Sequence, residues 1–298
     1  MISQKKWFRP KRNVSELAEQ ILLESARIEK KYNDLDIAHD SVVWKPNHFR
    51  GLSIDQFRAD NVYVWQSRDG LPENYFITYL YVKKVDKAGL LNSLIEESNY
   101  GVESFNFENK IVSRDLMDSI IEITFLDDNL NILNEKKRKI LDIGSGYGRL
   151  AKRMIQASNN DVICIDAIPL STCISRVYLQ NEIQSQRARV LELDEISSIG
   201  KGEVFLAVNI HSFSEMSIES VKFWVQFLRD REIPYIFVVP NGSSLSLNDG
   251  SDIEYIFSAC GYTVINKEEK YKEEEYNRFA IYPSTYFILE LVDKNVLH

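Results

Sequence analysis

The stretch KILDIGSGYGRLAKRM at positions 139–154 limits the fold more than any other part of the sequence. Its apolar start predicts a buried strand, its three glycines predict a tight turn, and its end predicts a helix from about Arg149. Gly144 and Gly146 permit positive φ angles and let a ligand approach the backbone. The helix behind them offers free N–H groups and a positive dipole end. The stretch therefore predicts a ligand-binding turn at the end of a sheet strand.

Acidic residues end the neighbouring strands. The segment DVICID (161–166) predicts a second strand that ends in Asp166, and RVLELDEI (189–196) predicts a third that ends in Asp194. An acid about 20 residues after the glycine turn is placed to accept hydrogen bonds from ribose hydroxyls. A dinucleotide-binding fold would show G-x-G-x-x-G, whereas this turn reads G-x-G-x-G. A doubly wound domain that binds no ligand at this turn is the structural alternative.

The glycine turn, with Asp142 two residues before it, resembles motif I of the class I S-adenosylmethionine-dependent methyltransferases. The resemblance implies an α/β fold with a Rossmann-like sheet, mostly parallel with an antiparallel last strand, and helices on both faces. It also implies S-adenosyl-L-methionine as the cofactor, with the adenine near Asp194. The cofactor-binding residues that we expect are Asp142, Gly144, Ser145, Gly146, Gly148, Asp166, Ala167, Asp194, Glu195 and Asn209.

The composition argues against several classes of protein. The 298 residues include 36 Lys and Arg against 44 Asp and Glu, a net charge of −8, which disfavours a nucleic-acid substrate. No apolar run reaches the ~20 residues of a membrane span. The isolated cysteines suggest neither disulfides nor a zinc site, and we expect a cytoplasmic protein. The oligomeric state is left open.

The first third of the chain lacks a βαβ rhythm. We predict a mainly helical cap or substrate region at 1–110 and a methyltransferase domain at 111–298. Helical patterns cover 14–32, 74–85, 87–98 and 114–133. Five basic residues near the start are compatible with contact with an anionic membrane surface, or with a solvated terminus. The many aromatics before residue 82 suit either a carbohydrate site or a helical core.

The segment NIHSFSEM (209–216) follows the predicted fourth strand, where ligands lie in an open α/β sheet. His211 is the expected general base, and we predict that a neighbouring carboxylate raises its pKa. Glu215 has three open interpretations: it caps the next helix, orients His211, or binds a sugar hydroxyl. Asn209 suits a cofactor amino group or a substrate hydroxyl. Because His211 and Glu215 are the only such ligands here, we expect no metal.

NIHSFSEM also resembles the corresponding stretch of a family of bacterial sugar O-methyltransferases associated with surface-polysaccharide and lipopolysaccharide genes. The resemblance covers about residues 113–292 and implies a sugar or glycan hydroxyl as the acceptor. Two alternatives remain. One is a methyltransferase that acts on a different small metabolite, and the other is a non-catalytic S-adenosylmethionine-binding scaffold.

Overall fold

A computed structural model describes residues 14–33, 35, 54–59, 70–97, 99–183 and 185–292. The predictions for the basic first twelve residues lie outside these ranges, as do Trp44, Phe49, Tyr63, Trp65 and His298. No described helix is long and apolar enough to cross a membrane.

Ten helices are present in the described part of the chain. They are α1 (Val14–Asn33), α2 (Pro72–Val85), α3 (Leu90–Ser93), α4 (Arg114–Leu130), α5 (Arg149–Ala157), α6 (Pro169–Glu182), α7 (Ser212–Glu215), α8 (Ile218–Asp230), α9 (Glu254–Ala259) and α10 (Glu274–Phe279). Short 3₁₀ helices occupy Ile54–Gln56 and Leu193–Ser198.

Two sheets contain the nine described strands. A hairpin pairs β1 (Ser104–Phe107) with β2 (Lys110–Ser113). The main sheet contains β3 (Lys139–Ile143), β4 (Asp161–Ile165), β5 (Ala188–Leu191), β6 (Leu206–Ile210), β7 (Tyr235–Val239), β8 (Tyr262–Glu269) and β9 (Thr285–Leu291). Its order is β5-β4-β3-β6-β7-β9-β8, and β9 alone runs opposite to the other six strands.

This strand order confirms the predicted fold class, a mostly parallel Rossmann-like sheet of the class I methyltransferase type. The chain winds outward from β3 through β4 to β5 and then returns to place β6 on the other side of β3. The ends of β3 and β6 therefore form the switch point at which open α/β sheets bind ligands. The glycine turn follows β3, and NIHSFSEM begins at the end of β6.

The described residues of the N-terminal part are mainly helical, as predicted, but with two differences. The predicted helix at 87–98 is limited to Leu90–Ser93. It begins after the left-handed Gly89, and the Asp86 carboxylate accepts hydrogen bonds from the first two N–H groups. Leu94 is extended, which ends the helix. The β1–β2 hairpin was not predicted, and it crosses the proposed boundary at 110.

A buried charge network joins this N-terminal part to the glycine turn. Arg58, which is 1% exposed, donates to Asp115 at 3.0 Å and to Glu96 at 2.8 Å. Asp115 in turn accepts a hydrogen bond from the hydroxyl of Tyr147, a residue of the glycine turn. Arg153 of α5 donates to the other oxygen of Glu96. Buried charges are tolerated when they are paired in this way.

Candidate cofactor and acceptor site

All three glycines of the turn have backbone angles in the left-handed region, which favours glycine over other residues. Their φ angles are 73° at Gly144, 56° at Gly146 and 87° at Gly148. The N–H groups of Gly144 and Ser145 both donate to the carbonyl of Ile165 at the end of β4. This pairing bends the turn over the neighbouring strand and begins α5 directly after Gly148.

The glycine turn is also packed too closely for side chains. A Cβ atom on Gly144 would lie 2.2 Å from the Oγ of Ser212, so β3 and the start of α7 meet at this point. A Cβ atom on Gly148 would lie 3.0 Å from side-chain atoms of Leu179 and Ser175 in α6. Gly144 therefore permits the close packing at the switch point, and Gly148 permits the close packing of the turn against α6.

Asp166 links the turn to the next helix. Its two carboxylate oxygens accept hydrogen bonds from the N–H groups of Gly146 and Ile168, each at 2.8 Å. Each oxygen keeps a second lone pair for a ligand hydroxyl. Burial raises the pKa of Asp166 to about 7, although both N–H groups oppose the rise. The adjacent Ala167 is half-buried against the core.

Asp142 is buried in β3, two residues before the turn. Burial raises its pKa to about 7. The positive charge of Arg149 opposes this rise, and the carboxylates of Glu122 and Asp166 strengthen it. A cationic ligand group would favour the ionised form of Asp142.

Two buried polar atoms at the switch point have no hydrogen-bond partner among the described residues. They are the Oγ of Ser145, beside the Cys164 thiol, and the Nδ1 of His211. Buried polar groups in proteins are nearly always bonded. Unpartnered polar atoms just after the ends of both β3 and β6 are therefore what a ligand-binding site at the switch point would contain.

Asp194 and Glu195 follow the end of β5, in the 3₁₀ turn Leu193–Ser198. The predicted third strand therefore ends earlier, at Leu191. The Asp194 carboxylate forms an ion pair with Lys31 of α1 at 2.6 Å. Glu195 caps its own turn, because its carboxylate accepts the N–H of Glu192 at 2.9 Å.

The side-chain amide of Asn209 makes two structural hydrogen bonds that we did not predict. Its Nδ2 donates to the carbonyl of Ile143 at 3.0 Å, and its Oδ1 accepts the N–H of Phe213 at 2.7 Å. These bonds hold the end of β3 to the start of α7. One N–H of the amide remains for the predicted ligand contact.

His211 has a strained backbone, with φ at 67° and ψ at −32°. Such strain in a residue other than glycine is concentrated at functional sites. Burial lowers the pKa of His211 to about 3, and the cations Arg114, Arg149 and Lys270 outweigh Asp118. The prediction that a neighbouring carboxylate raises this pKa is therefore wrong. The imidazole is neutral at physiological pH and is only a weak base.

Glu215 ends the short helix α7 and does not cap the next one. Helix α8 is capped by Ser217, whose side chain accepts the N–H of Ser220, so the capping interpretation is wrong. The Glu215 carboxylate accepts a hydrogen bond from Asn241 at 3.3 Å. It does not bond to the His211 Nδ1. Its charge acts on Asp166 and on Tyr282, which places it at the switch point.

A buried cluster of five charges lies behind His211 and was missed by sequence reasoning. Arg149 makes a two-pronged ion pair with Glu122, at 2.8 Å and 3.0 Å. Asp118 pairs with Lys270 at 2.6 Å and with Arg114 at 3.1 Å. Burial opposes ionisation of Asp118, but the three cations lower its pKa to about 2. The sequence signal that could have revealed this cluster is the spacing of Arg114, Asp118 and Glu122. They lie four residues apart on one face of α4, a helix otherwise rich in apolar residues.

Tyr282 was also missed, because it lies in the connection between β8 and β9. Its φ is 44°, its ring meets the His211 ring edge-on at 5.6 Å, and the Arg114 guanidinium lies 4.8 Å from its centre. Its backbone carbonyl accepts a hydrogen bond from Lys270. The side chain is 40% exposed, so Tyr282 and His211 together line the outer edge of the switch point.

Within the described ranges, no group of three or more His, Cys, Asp and Glu side chains is arranged to hold a metal ion.

Comparison with known proteins adds little beyond the fold. No protein-family description matches the sequence, and no curated protein matches it significantly. Solved structures do match. Magnesium protoporphyrin IX methyltransferase from Synechocystis PCC 6803, with bound SAH, is 14% identical at a TM-score of 0.46, over 65% of this chain and 91% of that one.

Two other matches have different activities in their names. The cyclopropane synthase MmaA2 from Mycobacterium tuberculosis is 14% identical at a TM-score of 0.41, over 57% of this chain and 84% of that one. The [4+2]-cyclase SpnF is 11% identical at a TM-score of 0.46, over 75% of this chain and 98% of that one. At these TM-scores the likenesses decide nothing about activity, and the fold assignment rests on the strand order.

Proposed function

We propose that this protein is an S-adenosylmethionine-dependent O-methyltransferase that acts on a hydroxyl of a sugar or glycan in cell-surface polysaccharide biosynthesis. The observation that carries the cofactor part is the switch point. There a glycine turn with three left-handed residues meets two buried carboxyls and two unpartnered polar atoms. The sugar acceptor rests on the resemblance of NIHSFSEM alone.

The residues fit S-adenosylmethionine in charge and in hydrogen-bonding capacity. Asp142 would balance the positive charge of the cofactor, and Asp166 would accept ribose hydroxyls with its remaining lone pairs. The turn at Asp194 and Glu195 would receive the adenine. The bound cofactor supplies an electrophilic methyl group.

The acceptor side is formed by His211 and Tyr282. We assign the unpartnered Nδ1 of His211 as the atom that accepts the hydrogen bond of the acceptor hydroxyl and orients it. The neutral imidazole can accept this bond without first losing a proton. Tyr282 shields the same edge from water.

Two measurements test the proposal in sequence. Isothermal titration with S-adenosylmethionine tests the cofactor, and absence of binding would contradict the whole proposal. Transfer of a labelled methyl group from S-adenosylmethionine to a panel of free sugars, nucleotide sugars and glycans then tests the acceptor. Transfer only to non-sugar metabolites would leave the methyltransferase and remove the sugar, while cofactor binding without any transfer favours a scaffold.

Replacing Asp166 should weaken cofactor binding. We expect Asp166→Ala to lower the affinity for S-adenosylmethionine by about 1.5–3 kcal/mol, the range for hydrogen bonds to a charged group. The change also frees the N–H groups of Gly146 and Ile168, so thermal stability should fall as well. Turnover at saturating cofactor should change less. Normal binding with lost turnover would give Asp166 a chemical role instead.

Cofactor affinity should also depend on pH. The pKa values of Asp142 and Asp166 are each raised to about 7, above the ~3.9 of an unfolded aspartate. The folded protein therefore holds these protons to a higher pH, and its free energy of unfolding falls as the pH rises from about 4 through about 7. A cationic cofactor favours the ionised carboxylates, so affinity should rise over the upper part of this range. Titrations at pH 6 to 8 in two buffers of different ionisation enthalpy would detect the released protons, and a pH-independent affinity would contradict this prediction.

A further inference from the structure

Helix α1 precedes the main sheet in the chain and contacts the turn after β5, where the adenine is proposed to bind. It packs against α6, and three of its side chains reach the turn that follows β5. Lys31 bonds to Glu192 at 2.8 Å and to Asp194 at 2.6 Å. Arg27 bonds to Glu192 at 2.7 Å. These contacts span more than half the length of the chain, so the local sequence did not reveal them.

Tyr32 makes the third contact of α1 with this turn, through its buried side chain. The side chain is 2% exposed, and its hydroxyl accepts the N–H of Leu193 at 3.1 Å. The same phenol lies close enough to the charges of Asp166 and Glu192 for both to act on its pKa. Tyr32 therefore stands between the end of β4 and the end of β5. These are the two strand ends assigned above to the ribose and the adenine.

The turn itself contains several negative charges. Glu192, Asp194 and Glu195 lie within four consecutive positions, and like charges at this spacing repel each other. Lys31 bridges the first two, while Arg27 and Arg176 bind Glu192. The cations of α1 therefore hold this acidic turn in one shape.

We propose that α1 is part of the cofactor site, with Lys31 and Tyr32 as positioning residues that hold the turn at 192–195 for the adenosine moiety of S-adenosylmethionine. The inference rests on the proposed function for the identity of the ligand. It adds a segment from the first third of the chain to a site otherwise formed by the sheet. The acceptor and its chemistry are not involved.

Cofactor binding tests this without any knowledge of the acceptor. Affinities for S-adenosylhomocysteine and for methylthioadenosine, which lacks the amino acid part, are measured by isothermal titration for wild type and variants. Lys31→Met should weaken both ligands by a similar factor of about five, because the adenosine is common to both. Tyr32→Phe should weaken both as well, since it leaves the N–H of Leu193 without an acceptor.

The helix provides a matched control. Lys30 is exposed on the same helix and makes no ion pair with a described residue, so Lys30→Met should bind both ligands like wild type. Lys31→Arg keeps the cation and should restore most of the affinity. Circular dichroism and thermal melting confirm that each variant is folded at the temperature of the titration.

Each outcome separates the two proposals. If wild type binds S-adenosylhomocysteine and Lys31→Met binds like Lys30→Met, the role of α1 is overturned and the cofactor assignment stands. If Lys31→Met weakens binding of S-adenosylhomocysteine but not of methylthioadenosine, the effect lies at the amino acid end of the ligand. The proposed role of α1 in holding the adenosine is then overturned as well. If wild type binds neither ligand, the proposed function fails, and the inference fails with it.

Discussion

Gly146→Val is expected to abolish binding of S-adenosylmethionine while the protein stays folded. Gly146 has a φ of 56°, and its N–H donates to the carboxylate proposed to bind the ribose. Valine is β-branched and adopts positive φ only with strain, so the turn would shift and its N–H would leave Asp166. We expect a loss of more than about 100-fold, since both the turn and the proposed ribose acceptor are displaced.

Gly202→Val is the matched control for backbone strain. Gly202 also has a positive φ, 67°, but an added Cβ would meet no atom within 4 Å, and the residue is exposed far along the chain from the turn. Both variants therefore carry similar strain, and only Gly146→Val should lose the ligand. Unimpaired affinity in folded Gly146→Val protein, measured by titration calorimetry, would contradict the assignment of the turn as motif I.

The second large effect is expected at His211. With the acceptor identified, His211→Ala should lower turnover at saturating cofactor by about 10²-fold, the lower end of the range for acid–base groups, because the imidazole is a weak base. Affinity for S-adenosylmethionine should be nearly unchanged. Since the pKa of His211 is about 3, turnover should show no step from its titration between pH 5 and 8.

His211→Asn distinguishes the hydrogen bond from the backbone. Asparagine tolerates the positive φ at this position and carries an acceptor oxygen near the place of Nδ1, so it should recover part of the activity lost in His211→Ala. Turnover of His211→Ala within about threefold of wild type would show that the hydroxyl is oriented elsewhere. Glu215 and Tyr282 would then be the next residues to replace.

The sequence was informative where one local pattern determines one local structure. The glycine turn, the strand that ends just before Asp166 and the last three strands were predicted to within a few residues. The spacing of glycines and the periodicity of apolar residues are local signals. The predicted third strand was too long, because Leu193 continues the alternation of apolar residues after Leu191 although it begins a 3₁₀ turn. The fold class followed from these elements together with the resemblance of the glycine turn to motif I of the methyltransferases.

Contacts between distant segments could not be predicted. The pKa of His211 is lowered first by burial and then by Arg114, Arg149 and Lys270, which come from three separate segments of the chain. The interpretation in which Glu215 orients His211 was based only on their closeness in the sequence. For Lys31 and Tyr32 the sequence predicted only a helix at 14–32, and the packing of α1 on α6 brings them to Glu192 and Leu193.

The buried network around Arg58 has a consequence for how the chain unfolds. Arg58 precedes the proposed boundary at 110, whereas Asp115 and Tyr147 follow it. Separating the two parts would leave Asp115 buried without its cation, which is strongly unfavourable. We therefore expect the two parts to melt cooperatively, as a single calorimetric transition whose van't Hoff and measured enthalpies agree. The glycine turn would then lose its shape in the same step as the segment that contains Arg58.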